Sequence, residues 1–468
     1  MSTAWAGDAA ALQRSHIINA KYPVSGASGW LPHGHALCSN VLDAFRAHFA
    51  SGGYGELGLP SAVPLASLEL QAGSIKSFLD RVYLLRDPDG RDEPVALAST
   101  IEAQISTVMA AWLREGRRAP FRVTSVRTVG RHEGHGMRPL WMERFVWPFF
   151  EAQAAFTGDG DAEVAFMLHG PGAVAASFGL PTVAVERLKE PGAAGAYADR
   201  RHELVTLLPD GTSTTLTSVY ELGTRFSETF GVRDADGVAL SMLNFGFSAR
   251  LVLALLVHAH SEPDRPVYHP SIAPVQVAVV PAVTEGAGRA AELAALLEGA
   301  GIRARVFDDH RGYRARVGRA RSHGAPLLLT VEGPERGGEL LLGRDAGQGE
   351  SVRPDGVAAL VDVRLRELGE RLVWDRAAEH RARIADLDGF PSSRAAAALP
   401  GAARVPLCAA DDCVRAALGH QALDVIGRPT GENGAVCDAA AAPARPCAHC
   451  ARPTGSSVLL GRKFRGEK

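Results

Sequence analysis

The hydrophobic pattern of the chain changes at a proline-rich stretch near its middle, and this change limits the folds open to it. Before the stretch, helical periods and short apolar runs are mixed; after it, strand and helix patterns alternate regularly. The stretch contains Pro263, Pro266, Pro270 and Pro274. Such a composition is typical of a linker. The chain is therefore expected to divide into residues 1–262, a linker at 263–274, residues 275–386 and residues 387–468.

The first segment predicts an antiparallel α+β domain. Apolar residues in Val41–Ser51 recur at helical spacing, and Leu251–His260 is a second apolar helix pattern. Short strand-like runs lie between these helices and are separated by turn signals. These runs are Glu56–Pro60, Val95–Ser99, Arg122–Val126, Phe145–Phe149, Leu204–Leu208 and Thr212–Ser218. Many strands with helices that do not alternate strictly favour an antiparallel sheet.

The third segment predicts a small α/β domain with a largely parallel sheet. Its predicted strands are Val275–Val280, Ile302–Phe307 and Leu327–Val331, and its predicted helices are Ala290–Leu297, Tyr313–Ser322 and a long helix from Asp355 to about Asp386. The fourth segment is rich in Ala and Pro and has only a weak pattern.

Composition excludes several classes of protein. The 468 residues contain 50 Lys and Arg against 52 Asp and Glu, so the chain is not a globally basic nucleic-acid wrapper. It has no apolar run of the roughly 18 residues that a membrane span needs, and its first twenty residues lack the basic and apolar regions of a secretory signal. We therefore expect a soluble, cytoplasmic protein with no membrane and no DNA partner.

The fourth segment holds five of the six cysteines. Cys408 and Cys413 form one close pair, and Cys447 and Cys450 form another in a Cys-Ala-His-Cys run. Two close pairs can each supply two thiolates to a tetrahedral zinc ion, which predicts a structural zinc site. Cys437 and His449 are alternative ligands. A segment with so few apolar residues would gain folding free energy from such a site.

Two arginines suggest a site for phosphates. Arg131 and Glu133 lie two residues apart between strand-like runs, so their side chains are expected to face the same way. A guanidinium group can hold a phosphate there while the carboxylate accepts from an amine. Arg250 lies at the start of the second apolar helix, where an arginine is well placed to bind terminal phosphates.

In this arrangement the chain resembles the class II aminoacyl-tRNA synthetases, specifically the archaeal/eukaryotic-type prolyl-tRNA synthetases. The matching stretches follow the family's order over more than 400 residues. They are Leu31-Pro32-His33-Gly34 and Gly58-Leu59-Pro60 (motif 1), Ala98–Glu102 (amine-binding loop), Arg131–Glu133 and Phe145–Trp147 (motif 2), Gly246–Arg250 (motif 3), Ile272–Val277 (the domain junction), the cysteine pairs and Leu460–Phe464.

The resemblance implies an α+β class II catalytic core with an antiparallel sheet, an α/β anticodon-binding-type domain and a small zinc-binding C-terminal domain. It implies a homodimer that activates an amino acid with ATP and Mg²⁺ and transfers it to tRNA. Arg131 would bind the α-phosphate and carboxylate, Glu133 the adenine amino group, and Arg250 the γ-phosphate. Thr100 and Glu102 would bind the substrate ammonium group.

The chain departs from the family pattern mainly around the amino-acid pocket. Trp147 is followed by Pro148-Phe149-Phe150-Glu151 where the family has Gln-Glu-Gly-His. Tyr220 replaces a histidine of the family, and Thr215 replaces the glutamine that contacts ATP. Trp141 replaces an arginine of motif 2, and Phe464 replaces the C-terminal tyrosine. The predicted amino-acid site therefore contains Thr100, Glu102, Trp147, Phe149, Glu151 and Tyr220, and the predicted ATP site contains Arg131, Glu133, Thr215 and Arg250. Glu151 could pair with a cationic substrate side chain, and a shift of the alignment around Pro148 is the competing explanation.

Three functions follow from these features. The first is a prolyl-tRNA synthetase-like ligase with a rewritten amino-acid pocket. The second is a specialised paralogue that delivers the activated amino acid to a non-tRNA acceptor in a biosynthetic pathway. The third is a non-catalytic regulatory or binding paralogue. Five arginines between 311 and 321 would form a basic face on the predicted helix, suited to tRNA phosphates, although an ordinary solvated helix is the alternative.

Overall fold

The fold was analysed in a computed structural model. It describes residues 9–72, 79–86, 93–134, 136–190, 197–260, 266–309, 312–333, 335, 337, 339–345, 348–436 and 443–464. Cys437 and Arg311, which the sequence analysis singled out, lie outside these residues. Within the described ranges, no helix combines the length and apolar character that crossing a bilayer requires.

The N-terminal segment is built on long antiparallel strands. Its strands are β1 (Ile18–Asn19), β2 (Gly29–Trp30), β3 (Gly55–Glu56), β4 (Ala62–Pro64), β5 (Leu84–Leu85), β6 (Val95–Leu97), β7 (Phe121–Gly130), β8 (Phe145–Phe156), β9 (Val183–Glu186), β10 (Arg200–Leu207), β11 (Ser213–Gly223) and β12 (Ser241–Ser248). Its helices are α1 (Ala9–Arg14), α2 (Pro32–Ser51), α3 (Leu65–Ala72), α4 (Glu102–Arg114), α5 (Asp161–Ser177), α6 (Arg225–Phe230) and α7 (Ala249–Ala259). The predicted antiparallel α+β core is confirmed. Five predicted runs fall on strands, while Glu56–Pro60 shares only its first residue with one.

Two helices cover one face of the central strands. Helix α2 buries Leu37, Val41, Leu42, Phe45 and Phe49 at helical spacing, and the rings of the last two pack at tilted angles against phenylalanines of β8 and β12. Helix α7 is buried on all sides, and Arg250 is its one residue that is not buried. The opposite face of the sheet is therefore free to form a cavity, with Arg250 at its edge.

The middle segment is the predicted α/β unit. Its strands are β13 (Val277–Pro281), β14 (Ala304–Val306), β15 (Leu327–Val331), β16 (Leu340–Asp345) and β17 (Gln348–Val352), and its helices are α8 (Ala287–Gly299), α9 (Tyr313–Ser322) and α10 (Val357–Ala382). The first three strands are parallel, as expected, and β16 and β17 add an antiparallel edge that the sequence analysis did not predict.

The basic face expected on α9 is only partly present. Arg316 is buried and donates to the carbonyl oxygens of Pro281 and Asp309 at 2.7 and 3.0 Å. Arg319 forms an ion pair of 2.6 Å with Asp309. These two guanidinium groups fix the helix to its own domain. The prediction of one broad basic face was therefore wrong for Arg316, because its side chain points into the domain.

The C-terminal segment joins the large sheet of the N-terminal segment. Its elements are β19 (Ala402–Pro406), β20 (Asp424–Glu432), β21 (Ala435–Val436), β22 (Arg445–Pro446), β23 (Pro453–Thr454), β24 (Ser457–Gly461), α11 (Ser393–Ala397) and α12 (Asp411–Leu418), and β18 (Ile384–Asp386), at the end of the middle segment, pairs with β19. A twelve-stranded sheet of the described residues runs in the order β18-β19-β24-β20-β9-β10-β11-β12-β8-β7-β3, with β21 beside β20. Strand β20 changes partner from β24 to β9 at Gly427, whose φ is +154°. A Cβ there would lie 2.7 Å from the Glu186 carbonyl oxygen, so the junction requires glycine.

Candidate active site

A cavity of about 900 Å³ opens on the sheet face opposite α2 and α7. Strands β8, β10, β11 and β12 form its floor, and the segments before α4 and after β7 form its sides. It is lined by all the predicted amino-acid and ATP residues except Trp147: Thr100, Glu102, Arg131, Glu133, Phe149, Glu151, Thr215, Tyr220 and Arg250. Residues that lie up to 150 positions apart in the sequence therefore meet in one space.

A buried carboxylate marks one end of the cavity. Glu102 is the first residue of α4, and its Oε1 accepts a hydrogen bond of 2.5 Å from the Tyr197 hydroxyl group. Its Oε2 is buried and has no hydrogen-bond partner in the described part of the chain. Burial raises the pKa of Glu102, while the Tyr197 hydrogen bond opposes that rise. An unpartnered carboxylate oxygen in a cavity is suited to binding an ammonium group.

A second buried carboxylate supports the loop that carries the first. Glu151 Oε2 accepts from the Ile101 backbone N–H at 3.1 Å, and its Oε1 lies 3.4 Å from the donors of Thr100 and Asn244. Burial raises the pKa of Glu151 to about 8, and the charge of Glu102 adds to this effect. Glu151 thus lines the cavity and also holds the start of α4 in place.

Arg131 extends from the end of β7 towards these carboxylates. Its Nε donates to the Ser99 carbonyl oxygen at 2.8 Å, and its guanidinium group lies 5.0 Å from the centre of the Phe149 ring. Glu133 faces the same cavity, where its Oε2 is 3.3 Å from Arg81. The Ser99 backbone and the ring of Phe149, which departs from the family pattern, therefore position Arg131.

Arg250 also lines the cavity, and with Arg131, Glu133 and Phe149 it borders a small adjoining pocket. Helix α7 begins there, with the Ser248 side chain accepting from the Arg250 backbone N–H. The guanidinium group lies 4.4 Å from the centre of the Trp141 ring, and it donates to the Trp141 carbonyl oxygen at 3.3 Å. Trp141 also departs from the family pattern, so the aromatic replacement forms a platform for a cavity arginine through a cation–π contact.

Another part of the cavity wall contains a third arginine that lies over an aromatic ring. Arg201 lies 5.2 Å from the centre of the Tyr220 ring and forms an ion pair of 2.5 Å with Glu203. Glu203 also accepts from the Thr215 hydroxyl group at 3.0 Å. Thr215 therefore lines the cavity with its hydroxyl group engaged by a buried carboxylate. Trp141, Phe149 and Tyr220 each lie beside a different cavity arginine.

The prediction that Trp147 lines the amino-acid site is corrected by the structure. Val129 pairs with Val146 and Arg127 pairs with Phe149, so three steps along β8 match two along β7. This bulge turns Trp147 away from the cavity that Phe149 faces. The Trp147 ring instead stacks on His35 of α2 at 4.8 Å.

Several cavity residues were not identified from the sequence. They are Arg81, Arg187, Lys189, Tyr197, Arg201, Glu203, Asn244 and Lys463. Asn244 lies two residues before Gly246 on the same strand, so the period-two alternation of β12 could have identified it. Tyr197 and Lys463 lie in loop and tail segments whose route no local pattern indicates.

Four cysteine sulfurs form a separate cluster. Cys408 follows β19, Cys413 lies on α12, and Cys447 and Cys450 lie in the β22–β23 turn. The sulfur atoms all lie within 4.8 Å of one another, and the separations of Cys408 from Cys413 and Cys450 are 3.3 and 3.7 Å. Sulfurs bound tetrahedrally to zinc at about 2.3 Å lie roughly 3.8 Å apart, so this cluster could hold the ion. His449, the alternative ligand, is not part of the group.

Comparison with known proteins identifies the relatives of this chain. No protein-family model matches it. The proline–tRNA ligase of Methanothrix thermoacetophila is 27% identical over 474 residues, covering 97% of this chain and 95% of the relative. That of Methanopyrus kandleri is 28% identical over 384 residues, covering 77% and 78%.

Solved structures agree in fold. Giardia lamblia prolyl-tRNA synthetase in complex with prolyl-adenylate superposes with a TM-score of 0.84 at 19% identity, covering 98% of this chain and 97% of that one. The Cryptosporidium parvum enzyme complexed with halofuginone and AMPPNP gives a TM-score of 0.83 at 18% identity, covering 99% and 98%. The chain is therefore a homologue of the archaeal-type prolyl-tRNA synthetases and has their class II fold.

Proposed function

We propose that this protein is an ATP-dependent ligase that activates an amino acid as its adenylate and transfers it to tRNA. The observation that carries this proposal is the convergence of Glu102, Arg131 and Arg250 on one cavity. The same convergence argues against a non-catalytic binding paralogue. The names of the relatives, which are proline–tRNA ligases, support the reaction class.

Each cavity group has a role in this reaction. The unpartnered Glu102 oxygen and Thr100 bind the substrate ammonium group, and Arg131 bridges the substrate carboxylate and the α-phosphate. A carboxylate oxygen attacks the α-phosphorus, the bond from that phosphorus to the bridging oxygen breaks, and pyrophosphate leaves. Glu133 accepts from the adenine amino group, and Arg250 binds the γ-phosphate. Such chemistry depends on positioning and on charge neutralisation, which fixed guanidinium groups supply.

Mg²⁺ enters this proposal with the nucleotide. It would neutralise negative charge on the phosphates. Four carboxylates of the described residues line the cavity: Glu102, Glu133, Glu151 and Glu203. Both oxygens of Glu203 already have partners, one in Arg201 and the other in Thr215. We therefore assign the ion to the phosphates.

The amino acid is proposed to differ from proline. The family's polar residues around the pocket are replaced by Phe149, Glu151 and Tyr220, which changes both its shape and its charge. Leaving old polar partners unpaired would cost roughly 1–3 kcal/mol each. Glu151 offers a carboxylate to a cationic substrate side chain. Because it also accepts hydrogen bonds from Thr100 and Ile101, it has a second role in holding the Thr100–Glu102 loop.

Exchange of pyrophosphate into ATP, measured with each common amino acid in turn, tests the function. We expect exchange with one amino acid or a narrow group. If the side chain pairs with Glu151, the Glu151→Gln variant will lose selectivity for a cationic amino acid; a uniform loss for every amino acid would assign Glu151 to the loop alone. Absence of exchange with every amino acid, with and without tRNA, would contradict the proposed activity.

The final acceptor is proposed to be tRNA because the middle segment has the parallel α/β pairing expected of an anticodon-binding-type domain. Exposed Arg314 on α9 supports a phosphate contact, whereas buried Arg316 reduces the basic face. The rewritten pocket favours the second candidate, a paralogue that passes the amino acid to another acceptor. Charging of unfractionated tRNA with the amino acid found above separates the two. We also propose that the protein is a homodimer located in the cytoplasm. Measuring the mass of the protein in solution tests the dimer.

We propose that the cysteine cluster binds one structural zinc ion. Replacing Cys447 with serine is expected to release about one equivalent of metal, because a structural site needs all four thiolates. The C-terminal strands should then become more sensitive to limited proteolysis than α2 and α7. Replacement of Cys38, which is buried far from the cluster in the sequence, with alanine is the matched control. Unchanged metal content in the Cys447→Ser protein would defeat the assignment.

A further inference from the structure

The last described residues of the chain, which follow β24, return to the cavity. After β24, the Arg462 carbonyl oxygen accepts from the Ser213 N–H at 2.7 Å, and the Phe464 N–H donates to the Ser213 carbonyl oxygen at 2.9 Å. Lys463 lies between these two bonds, paired with Ser213 at the start of β11. Its backbone is therefore held by hydrogen bonds on both sides, and the residue lines the cavity.

The neighbours of Lys463 locate it on the Arg250 side. The Phe464 ring lies 4.5 Å from the Trp141 ring, which in turn carries the Arg250 guanidinium group at 4.4 Å. Thr215, two residues beyond Ser213, lines the same wall. Glu102, at the other end, lies with Tyr197 and the α4 loop.

Lys463 differs from the other cations that line the cavity. Arg81 pairs with Glu133, Arg201 with Glu203, and Lys189 donates to the carbonyl oxygens of Ala198 and Asp199. Arg131, Arg187 and Arg250 also donate to backbone carbonyl oxygens. Among the residues that the structure describes, Lys463 is the one cavity-lining cation whose side chain has no protein hydrogen-bond or ion-pair partner.

We propose that Lys463 binds the β- and γ-phosphates of ATP together with Arg250. This inference rests on the proposed function, and it adds a binding residue supplied by the C-terminal tail. An unpaired ammonium group on a cavity wall is a point charge suited to a polyanion. It offsets the loss of two polar groups on this wall, where Trp141 and Thr215 replace the arginine and glutamine of the family pattern.

Affinities for ATP and for AMP, measured calorimetrically on the full-length protein without amino acid, test this inference. The Lys463→Met variant is expected to bind ATP roughly 10- to 100-fold more weakly, the range for loss of one charge-assisted hydrogen bond. AMP binding should stay within about twofold, because AMP lacks the two phosphates that Lys463 contacts. Lys463→Arg should restore most of the ATP affinity. Lys21→Met, an exposed lysine outside the cavity, is the matched control.

Each outcome has a distinct meaning. Equal ATP affinity in Lys463→Met and wild type would overturn the inference while leaving the nucleotide site intact. Equal losses for ATP and AMP would also overturn it, since they would assign Lys463 to the nucleoside end or to folding. Failure of the wild-type protein to bind either nucleotide would overturn the proposed function itself, and this inference with it.

Discussion

Replacing Arg250 with alanine will reduce ATP–pyrophosphate exchange by roughly 100- to 1000-fold, the range for removing one preorganised charge-stabilising donor from an active site. Arg250 is the one residue of α7 that is not buried, and its guanidinium group is held between the Trp141 ring and the cavity. Its loss removes a phosphate ligand without opening the core. ATP affinity should fall, while the thermal unfolding temperature changes little.

A matched control separates catalysis from packing. Arg117 lies 4.9 Å from the centre of the Trp112 ring and is exposed outside the cavity. Arg117→Ala therefore removes a cation–π contact of the same kind but should leave exchange unchanged. Arg250→Lys should retain part of the activity, because it keeps the charge and loses the planar fork. Exchange by Arg250→Ala within a few-fold of wild type would contradict the assignment of the nucleotide site.

The sequence predicted the parts of the fold that local patterns encode. Helices α2 and α7 and the parallel strands β13, β14 and β15 follow from apolar periodicity, which is set by neighbouring residues. The joining of β20 to β9 could not be predicted in this way, because it pairs segments more than 230 residues apart. The glycine that permits the junction, Gly427, has no local signal that separates it from other glycines.

Local patterns likewise predict some residues of the candidate site and not others. Arg131, Glu133 and Arg250 were predicted because they lie in compact motifs, and all three line the cavity. Trp147 was assigned to the site from the family resemblance, which does not show that a bulge in β8 turns its ring towards His35. Arg316 was misassigned because composition does not indicate which side of a helix faces its domain. Tyr197 and Lys463 reach the cavity only through tertiary contacts, as do the pairs of cavity arginines with Trp141, Phe149 and Tyr220.

Replacing Glu102 with glutamine will raise the KM for the amino acid roughly 10- to 100-fold, because the substrate ammonium group loses a charged hydrogen-bond acceptor. ATP affinity should change less than the KM for the amino acid, since Glu102 is not one of the proposed ATP-binding residues. This pattern is the reverse of that expected for Arg250→Ala. Equal effects of Glu102→Gln on the amino acid and on ATP would contradict a specific ammonium site.

The pH dependence gives a second measurement on the same carboxylate. Burial raises the pKa of Glu102, so the empty site takes up a proton at a higher pH than an exposed carboxyl group would. Only the ionised form pairs with an ammonium group, so amino-acid affinity should be full above this raised pKa and weaken as the pH falls through it. Tyr197→Phe removes the hydrogen bond that favours the ionised form and should move the midpoint to higher pH. Glu102→Gln should flatten this part of the profile, and a profile that it leaves unchanged would assign the titration to another group, with Glu151 the first to test.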